Sequence, residues 1–514
     1  MSRLSRALAL TAFAFAAVLA AAEPRPVPTP TVAAVPSPAS AGAVGPALAR
    51  APDGTVWLAW LDPLADGAAL RCAAFDSTRG RWRDAVTIVS GPAVLATDDA
   101  PPALAAGPTG NLTTVWSAAP PGAAAESFLQ FSTSADSGRT WSAPAALTAE
   151  SMSTRHAALI TLADGRVLAA WLDHRDRTQA GSSARLSTRI LAPTPDREIL
   201  IAPRVSETSP PALVAFPDGG ALLAFRGQAE GDMRDIHTVR FHQDRWAEPR
   251  ILNPDAWRTP RDPAAGPALA VDGGRVAAAW FTAAEGRPRV LISTSPDAGA
   301  RFLLPLTLDL GHPAGPPSVA LLHDGAALAV WIEGASSAPD AAPAALWFRR
   351  TSPDFTLDAP LQLHADTDQP PRGHPRVALL RDFAGDVPTA AVLVAYAVGG
   401  AAAGLRTAVV TVSEAALLAA ANSDCDCAST PEQLLGYPFR GAVTAVDTAR
   451  GELTAQHAEL PGIFPAGAHV FRAVPALLAA LQPGRDFLGR IEQRAGAWWL
   501  FNVRLLVTPP ARPQ

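Results

Sequence analysis

No lysine occurs among the 514 residues, so every strong cation is an arginine. With so much Ala and Pro, this reads as the coding bias of a high-GC genome and not as a phosphate-binding device. A basic surface is missing too: the formal net charge is −5, which argues against nucleic acid as a partner. Beyond the N-terminus no apolar run approaches the roughly 20 residues needed to cross a bilayer, so no membrane anchor is expected. Cysteine is reduced to Cys72, Cys425 and Cys427. Cys425 and Cys427 are too close to bridge each other without strain, and an odd count leaves at least one thiol over.

What is present is a repeat. HAALITLADGRVLAAW (156–171) reads as two short strands around an Asp-Gly turn, with period-two alternation on either side. The unit returns as GPALARAPDGTVWLAW (45–60), PPALAAGPTGNLTTVW (101–116), PPALVAFPDGGALLAF (210–225), GPALAVDGGRVAAAW (266–280), PPSVALLHDGAALAVW (316–331) and HPRVALLRDFAGDVPTAAVLVAY (374–396). Its anchors, Pro46, Pro102, Ala157, Pro211, Pro267, Pro317 and Pro375, lie about 50–58 residues apart. A strand-built period of that size means a propeller or solenoid. Each period holds a second hairpin, clearest at 129–147, with weaker copies at 70–89, 236–252 and 290–302. Two hairpins per period make a four-stranded blade, and a ring of blades leaves few free edges. The fold class is therefore all-β: a seven-bladed β-propeller over 43–412, or a six-bladed one if a terminal unit is not a full blade.

The ends differ from this body. Residues 1–22 carry Arg3 and Arg6, an apolar run from Ala7 to Leu19, and Ala20-Ala21-Ala22 before Glu23. This is the pattern of a secretory signal peptide, so a periplasmic or secreted protein of a bacterium is expected. Residues 23–42 are Pro/Ala-rich and read as a linker. Residues 413–435 open with a short Ala/Leu helix and carry Cys425 and Cys427. In an oxidising compartment Cys72 can pair with either of them, since a propeller brings its two ends together.

Two second hairpins carry a motif. Ser134-Ala135-Asp136-Ser137-Gly138-Arg139-Thr140-Trp141 fits S-x-D-x-G-x-x-W, and Ser295 to Phe302 repeats it with Phe in the last place. Asp76 to Trp82 is a degenerate copy. The Asp caps turn amides, the Gly takes positive φ, and the aromatic packs on the sheet. On these residues the region resembles the Asp-box (BNR-repeat) sialidase-like propellers. That resemblance implies the fold more than the activity, because the motif sits on outer hairpins. It also implies three Arg around a substrate carboxylate, a Tyr nucleophile activated by Glu, and an Asp acid/base. Only Tyr396 and Tyr437 are available. Tyr396 aligns with Trp60, Trp116, Trp171, Phe225, Trp280 and Trp331, which makes it a packing residue, and Tyr437 lies outside the propeller. No catalytic residue is assigned.

A funnel of another kind is expected at one end of the central channel, where the first strands begin. Its candidates are Asp98, Asp99, Arg155, His156, Asp173, Arg261, His312, Arg372 and His374, with Glu207 and Asp262 nearby. Mixed charge converging on a concave mouth suits a protein or glycan ligand.

From residue 436 to 508 the text is new, with short alternating strands that suit a small closed β-barrel of OB type. Arg440-Gly441-Ala442-Val443, Gly451-Glu452-Leu453, His457, Leu460-Pro461-Gly462, Phe471, Leu481-Gln482-Pro483-Gly484 and Trp498-Trp499-Leu500 make it similar to the CusF-like periplasmic copper-binding family. The resemblance implies copper held by His457, with Phe464 in the aromatic place. The M-x-M pair of that family falls on Gly467 and His469, so both thioethers are absent. Imidazole suits Cu(II), Zn(II) and Cu(I) alike, and His457 with His469, joined by thiolates of Cys425 and Cys427, form the candidate metal set. The leading expectation is thus an exported, non-enzymatic protein that binds copper or another transition metal, with the propeller as ligand platform. The alternatives are a glycan-binding or exo-sialidase-like protein, and an interaction scaffold with a metal-free barrel.

Overall fold

A computed structural model describes residues 30–120, 127–148, 153–175, 183–334, 343–351, 357–382, 389–413, 437–457, 464–473, 477–478, 481–494 and 497–505. The chain is all-β and its body is a β-propeller. Seven antiparallel sheets follow one another, beginning with the strands Val44–Arg50, Ala103–Ala106, Thr154–Thr161, Ala212–Ala215, Ala268–Asp272, Ser318–Leu321 and Pro371–Arg381. These first strands touch in order, and the seventh touches the first, so they form a closed inner ring.

Each repeat hairpin is the inner pair of one sheet. Ala158 lies opposite Ala170 and Thr161 opposite Val167 around the turn at Gly165, whose φ is +86°. The second strands do not alternate buried and exposed as a half-solvated strand would. Leu112–Ala118, Val167–Asp173, Ala221–Arg226 and Ala327–Glu333 are buried at every position. The reason is that a sheet in a ring has a neighbour on both faces.

The large aromatics decide how the sheets stack. Trp116 packs with Leu61 and Leu70 of the first sheet, and Trp171 with Val115 and Leu129 of the second. Phe225 packs on the third, Trp280 on the fourth, Trp331 on the fifth and Tyr396 on the sixth. Trp60 packs with Leu393 and Ala395 of the seventh, which completes the circle. Every such ring is under a tenth exposed, and truncating one to Ala would cost about 3–5 kcal/mol.

Ring closure also uses the N-terminal part of the chain. The stretch 23–42, expected to be a linker, contains the strand Thr31–Val35, which pairs antiparallel with Gly404–Ser413 as the outer strand of the seventh sheet. The Thr407 hydroxyl joins three parts of the seam: it accepts from Trp82 Nε1 of the first sheet at 3.1 Å and donates to the Val35 carbonyl at 2.9 Å.

The Asp-box turns are built as the motif requires. Ser134 Oγ accepts the Gly138 amide at 2.9 Å, and Asp136 accepts the Thr140 amide at 2.9 Å and its hydroxyl at 2.7 Å. These bonds hold the Asp136 carboxyl down at about 2. Gly299 has φ +80°, and a Cβ there would lie 2.7 Å from Leu222 of the preceding sheet. The turn is thus also a contact between sheets. Phe302 and Trp82 are buried, whereas Trp141 is half-buried.

After the ring, Tyr437–Asp447, Glu452–His457, Gly467–Arg472, Asp486–Arg494 and Ala497–Leu505 form a closed barrel. Phe471, Phe487, Ile491 and Leu500 fill its interior. Cys72 is a buried free thiol pushed up to about 12 by burial, and Cys425 and Cys427 lie outside the described residues.

Replacing Thr407 by Val should cost about 1–3 kcal/mol in urea unfolding, because it leaves the Trp82 indole N–H and the Val35 carbonyl without partners. Thr407→Ser should recover most of the loss. Equal stability of the Val variant and the parent would show that the seam does not depend on this hydroxyl.

Candidate functional site

The innermost strands enclose a cavity of about 210 Å³ on the ring axis. All seven repeat units contribute to its wall, and most contribute small or apolar residues: Ala47, Pro102, Ala103, Pro211, Ala212, Pro267, Ala268 and Pro317. Three residues break the pattern. His156, His374 and Arg376 line the same space. Aligned unit against unit, Arg376 stands where the others have Ala47, Ala103, Ala158, Ala212, Ala268 and Ser318. His156 and His374 stand where the others have Gly45, Pro101, Pro210, Gly266 and Pro316.

The local backbone explains how these side chains are presented. The pairing of the first and second strands slips between Arg155 and Ala158 and between Arg372 and Arg376. In the third sheet the slip puts His156 at φ +52°, a left-handed conformation that the first unit fills with Gly45 at φ +63°. An imidazole in that place carries a strain that glycine would not. His156 Nδ1 is buried and makes no hydrogen bond among the described residues.

Burial pulls His156 down to about 4, with His174 and Arg155 adding to the shift and Asp262 opposing it. Burial pulls His374 down to about 3, and the charges of Arg376 and His156 push the same way. Both imidazoles are therefore neutral at pH 7. Burial also lowers Arg376 to about 10, which leaves it cationic there. No carboxylate lines the cavity and no hydrogen bond or ion pair engages the Arg376 guanidinium among the described residues. The cavity thus carries one uncompensated positive charge and two neutral imidazole rings.

The other funnel candidates fall into different settings. Arg372 pairs with Asp98 at 2.8 Å, joining the seventh sheet to the loop before the second. Burial raises Asp98 while Arg372 lowers it. Arg155 begins the third inner strand and is half-buried next to His156. Asp99, Arg261 and His312 are exposed on loops and do not line the axial cavity. Asp173 is buried and bonded to Arg175 Nε at 2.7 Å, and Arg175 continues to Glu198 at 2.8 Å. Asp173 therefore stabilises the third sheet and does not face the axis. His174 bonds the Glu207 carbonyl at 3.2 Å.

A buried polar cluster between the fourth and fifth sheets was not anticipated. Asp262 accepts from Ser206 Oγ at 2.7 Å, the Thr208 amide at 2.7 Å and Arg234 at 3.0 Å. Arg226, fully enclosed, donates to the carbonyls of Arg234, Ala265 and Phe281 and stacks on Trp257 at 4.9 Å. Asp235 is pushed up to about 7, chiefly by burial and then by the charge of Asp255. The cluster pins the loops that lead into the fifth inner strand. Its sequence signal was an Arg at 226, where other units have Leu61, Ser117 or Leu172, one residue past the strand aromatic.

Tyr396, the one tyrosine of the ring, is 7% exposed and packs against His364 with ring centroids 5.4 Å apart. It lies on the second strand of its sheet, away from the axis, and burial raises its phenol. The Tyr437 side chain lies outside what is described.

In the barrel, His457 and His469 stand on paired neighbouring strands, not on opposite walls. His457 Nε2 and His469 Nδ1 are 2.8 Å apart, so one nitrogen donates and the other accepts. Phe464 packs at a tilt against His469, with ring centroids 4.5 Å apart, and against Trp498 at 5.1 Å. Among the described residues no three His, Cys, Asp or Glu side chains come together as a metal-binding group. Two imidazoles that already bond each other do not make the three-donor soft site that the copper-family resemblance implies.

The sequence matches the model of the family described as "BNR repeat-like domain" over residues 65–327, just over half of the chain. No curated protein matches it. Among solved structures, the "Hadza microbial sialidase Hz136" aligns at 17% identity and TM-score 0.39, covering 56% of this chain and 63% of the other. A Penicillium chrysogenum alpha-L-arabinanase aligns at 13% and 0.39, covering 60% and 92%. A PL25 ulvan lyase aligns at 11% and 0.45, covering 74% and 96%. Likeness at these levels says nothing about what this chain binds or cleaves.

The two axial histidines set an acid sensitivity. Unfolded, each takes a proton below about pH 6.5, whereas folded each stays neutral down to about 4 and about 3. The unfolded state therefore binds more protons between these values. Their stabilising contribution is complete above pH 6.5 and is lost as pH falls toward 4. Urea unfolding at pH 7, 5.5 and 4.5 should show that decline, and it should be shallower in His156→Asn/His374→Asn. An unchanged pH slope in the double variant would contradict the buried neutral state.

Proposed function

Since this chain belongs to the BNR repeat-like domain family, we propose that its propeller binds a glycan at the axial cavity and does not hydrolyse it. The observation that carries this reading is the convergence of His156, His374 and Arg376 on one cavity whose remaining wall is Pro, Ala, Leu and Gly. Fixed donors on an otherwise apolar wall suit a ligand that is rich in hydroxyls and has apolar ring faces. The lack of a sialidase-type hydrolytic step follows from Tyr396, whose phenol is packed between the sixth and seventh sheets. With no other tyrosine in the ring, the phenolic nucleophile of sialidases has no counterpart at the axis. In this reading the seven sheets are seven blades, the barrel is an OB-like module, and the protein is exported by the signal carried in residues 1–22.

The intact chain should give no turnover of a fluorogenic sialoside and should bind a subset of an immobilised glycan panel. That binding should fall in His374→Ala. Hydrolysis above the buffer blank would overturn the non-hydrolytic part, and a panel without any binding would overturn the glycan part.

A second reading keeps transition-metal binding, copper included, for the barrel. It rests on one contact, the meeting of His457 and His469 at 2.8 Å. Calorimetric titration of the full chain with Cu(II) or Zn(II) should then show about one equivalent bound, lost in His457→Ala. No heat in the parent protein removes this reading and leaves the barrel as a structural module.

A further inference from the structure

We propose that the axial cavity is an oxyanion site in which Arg376 is the cation and His156 and His374 are neutral hydrogen-bonding partners. The ligand class is a carboxylate, sulfate or phosphate group, free or carried on a larger molecule.

The repeat itself is the control for this inference. The ring needs no large residue at the Arg376 position, since six units carry Ala or Ser there and pack into the same ring. A guanidinium at that point has no packing duty that the other units share. It is also costly. Arg376 is half-buried, and drawing a cation even partly out of water without a counter-charge is unfavourable, while no carboxylate lines the cavity to offset it. Asp98, in the loop before the second inner strand, is already engaged by Arg372 at 2.8 Å. Asp262, which reaches His156 only through its charge, is held by Ser206, Thr208 and Arg234.

The imidazoles agree with the same ligand. Both replace Gly or Pro of the other units, and one does so at φ +52°. Each neutral ring offers an N–H to an oxygen acceptor. Among the described residues, His156 Nδ1 is buried without a partner. A cation that shares a cavity with neutral donors, with no acid on the wall, selects a negatively charged acceptor over a neutral one. The cavity's 210 Å³ admits one such group and the start of whatever carries it. This inference sharpens the glycan reading to acidic sugars but does not need the ligand to be a sugar.

The test uses the full chain and Arg376→Ala, a substitution that copies the other units and should fold. Without added anion the variant should melt no lower than the parent, since it loses an unpaired cation. Sodium sulfate, sodium phosphate and sodium glucuronate are then titrated separately at fixed ionic strength. Sulfate and phosphate stabilise many folds by exclusion from the surface, so the readout is the difference between parent and variant. The parent should show saturable binding to at least one anion, weakened about tenfold or more in Arg376→Ala, as expected for loss of a charge-assisted hydrogen bond. Absence of saturable binding in the parent, or equal binding in both proteins, overturns the site. The two readings fail separately. A panel glycan that binds Arg376→Ala as well as the parent would leave the glycan reading standing and sink the anion site. Sulfate or phosphate binding lost in Arg376→Ala, with no glycan bound, would do the reverse.

Discussion

The packing of each second-strand aromatic against the preceding sheet is the constraint on which the propeller rests. Trp116, Trp171, Phe225, Trp280, Trp331 and Tyr396 each join one sheet to the one before, and Trp60 joins the first to the seventh. A chain of such contacts is stable only when it closes, since an open end would leave the faces of two terminal sheets in water. The strand Thr31–Val35 and the Thr407 hydroxyl complete that closure. Through them the stability of the ring depends on segments more than 370 residues apart in sequence.

Closure has a consequence at the centre. Seven first strands meeting around one axis line it with little beyond Ala, Gly, Pro and Leu. Any larger or charged side chain there is set apart from its counterparts by position alone. Three depart from that rule, and all three face the same cavity. The mouth above them is different in kind. Its charges are mostly engaged with one another, as in the pairs of Arg372 with Asp98 and Arg234 with Asp262, and these serve to hold loops.

The barrel is held by packing in its own interior. Phe471, Phe487, Ile491 and Leu500 provide a filled core. On neighbouring strands of this barrel His457 and His469 bond each other beside Phe464. Tyr396 makes the same point in the ring: a residue type associated with chemistry is used for packing because the repeat places it in a seam between sheets.

Much of the architecture was legible in the residues themselves. The seven anchors from Pro46 to Pro375, the Asp-Gly turns and the aromatic ending each unit define the inner hairpins, because a strand pair depends on local alternation and turn chemistry. The packing role of Tyr396 was readable by alignment with Trp60 and Trp331. Other features belonged to the tertiary structure. Thr31–Val35 looked like a linker, since its partner strand begins at Gly404 and no local pattern records that pairing. The funnel set mixed residues that share a chain position but not a destination: His156 and His374 reach the axis, Asp173 turns to Arg175, and His312 stays in solvent. Arg376 was visible only as an Arg in a column of Ala and Ser. Sequence alone determined the repeat and hence the ring, because those depend on short-range periodicity. Which side chains meet at its centre was decided by closure, because only then do positions hundreds of residues apart share one cavity.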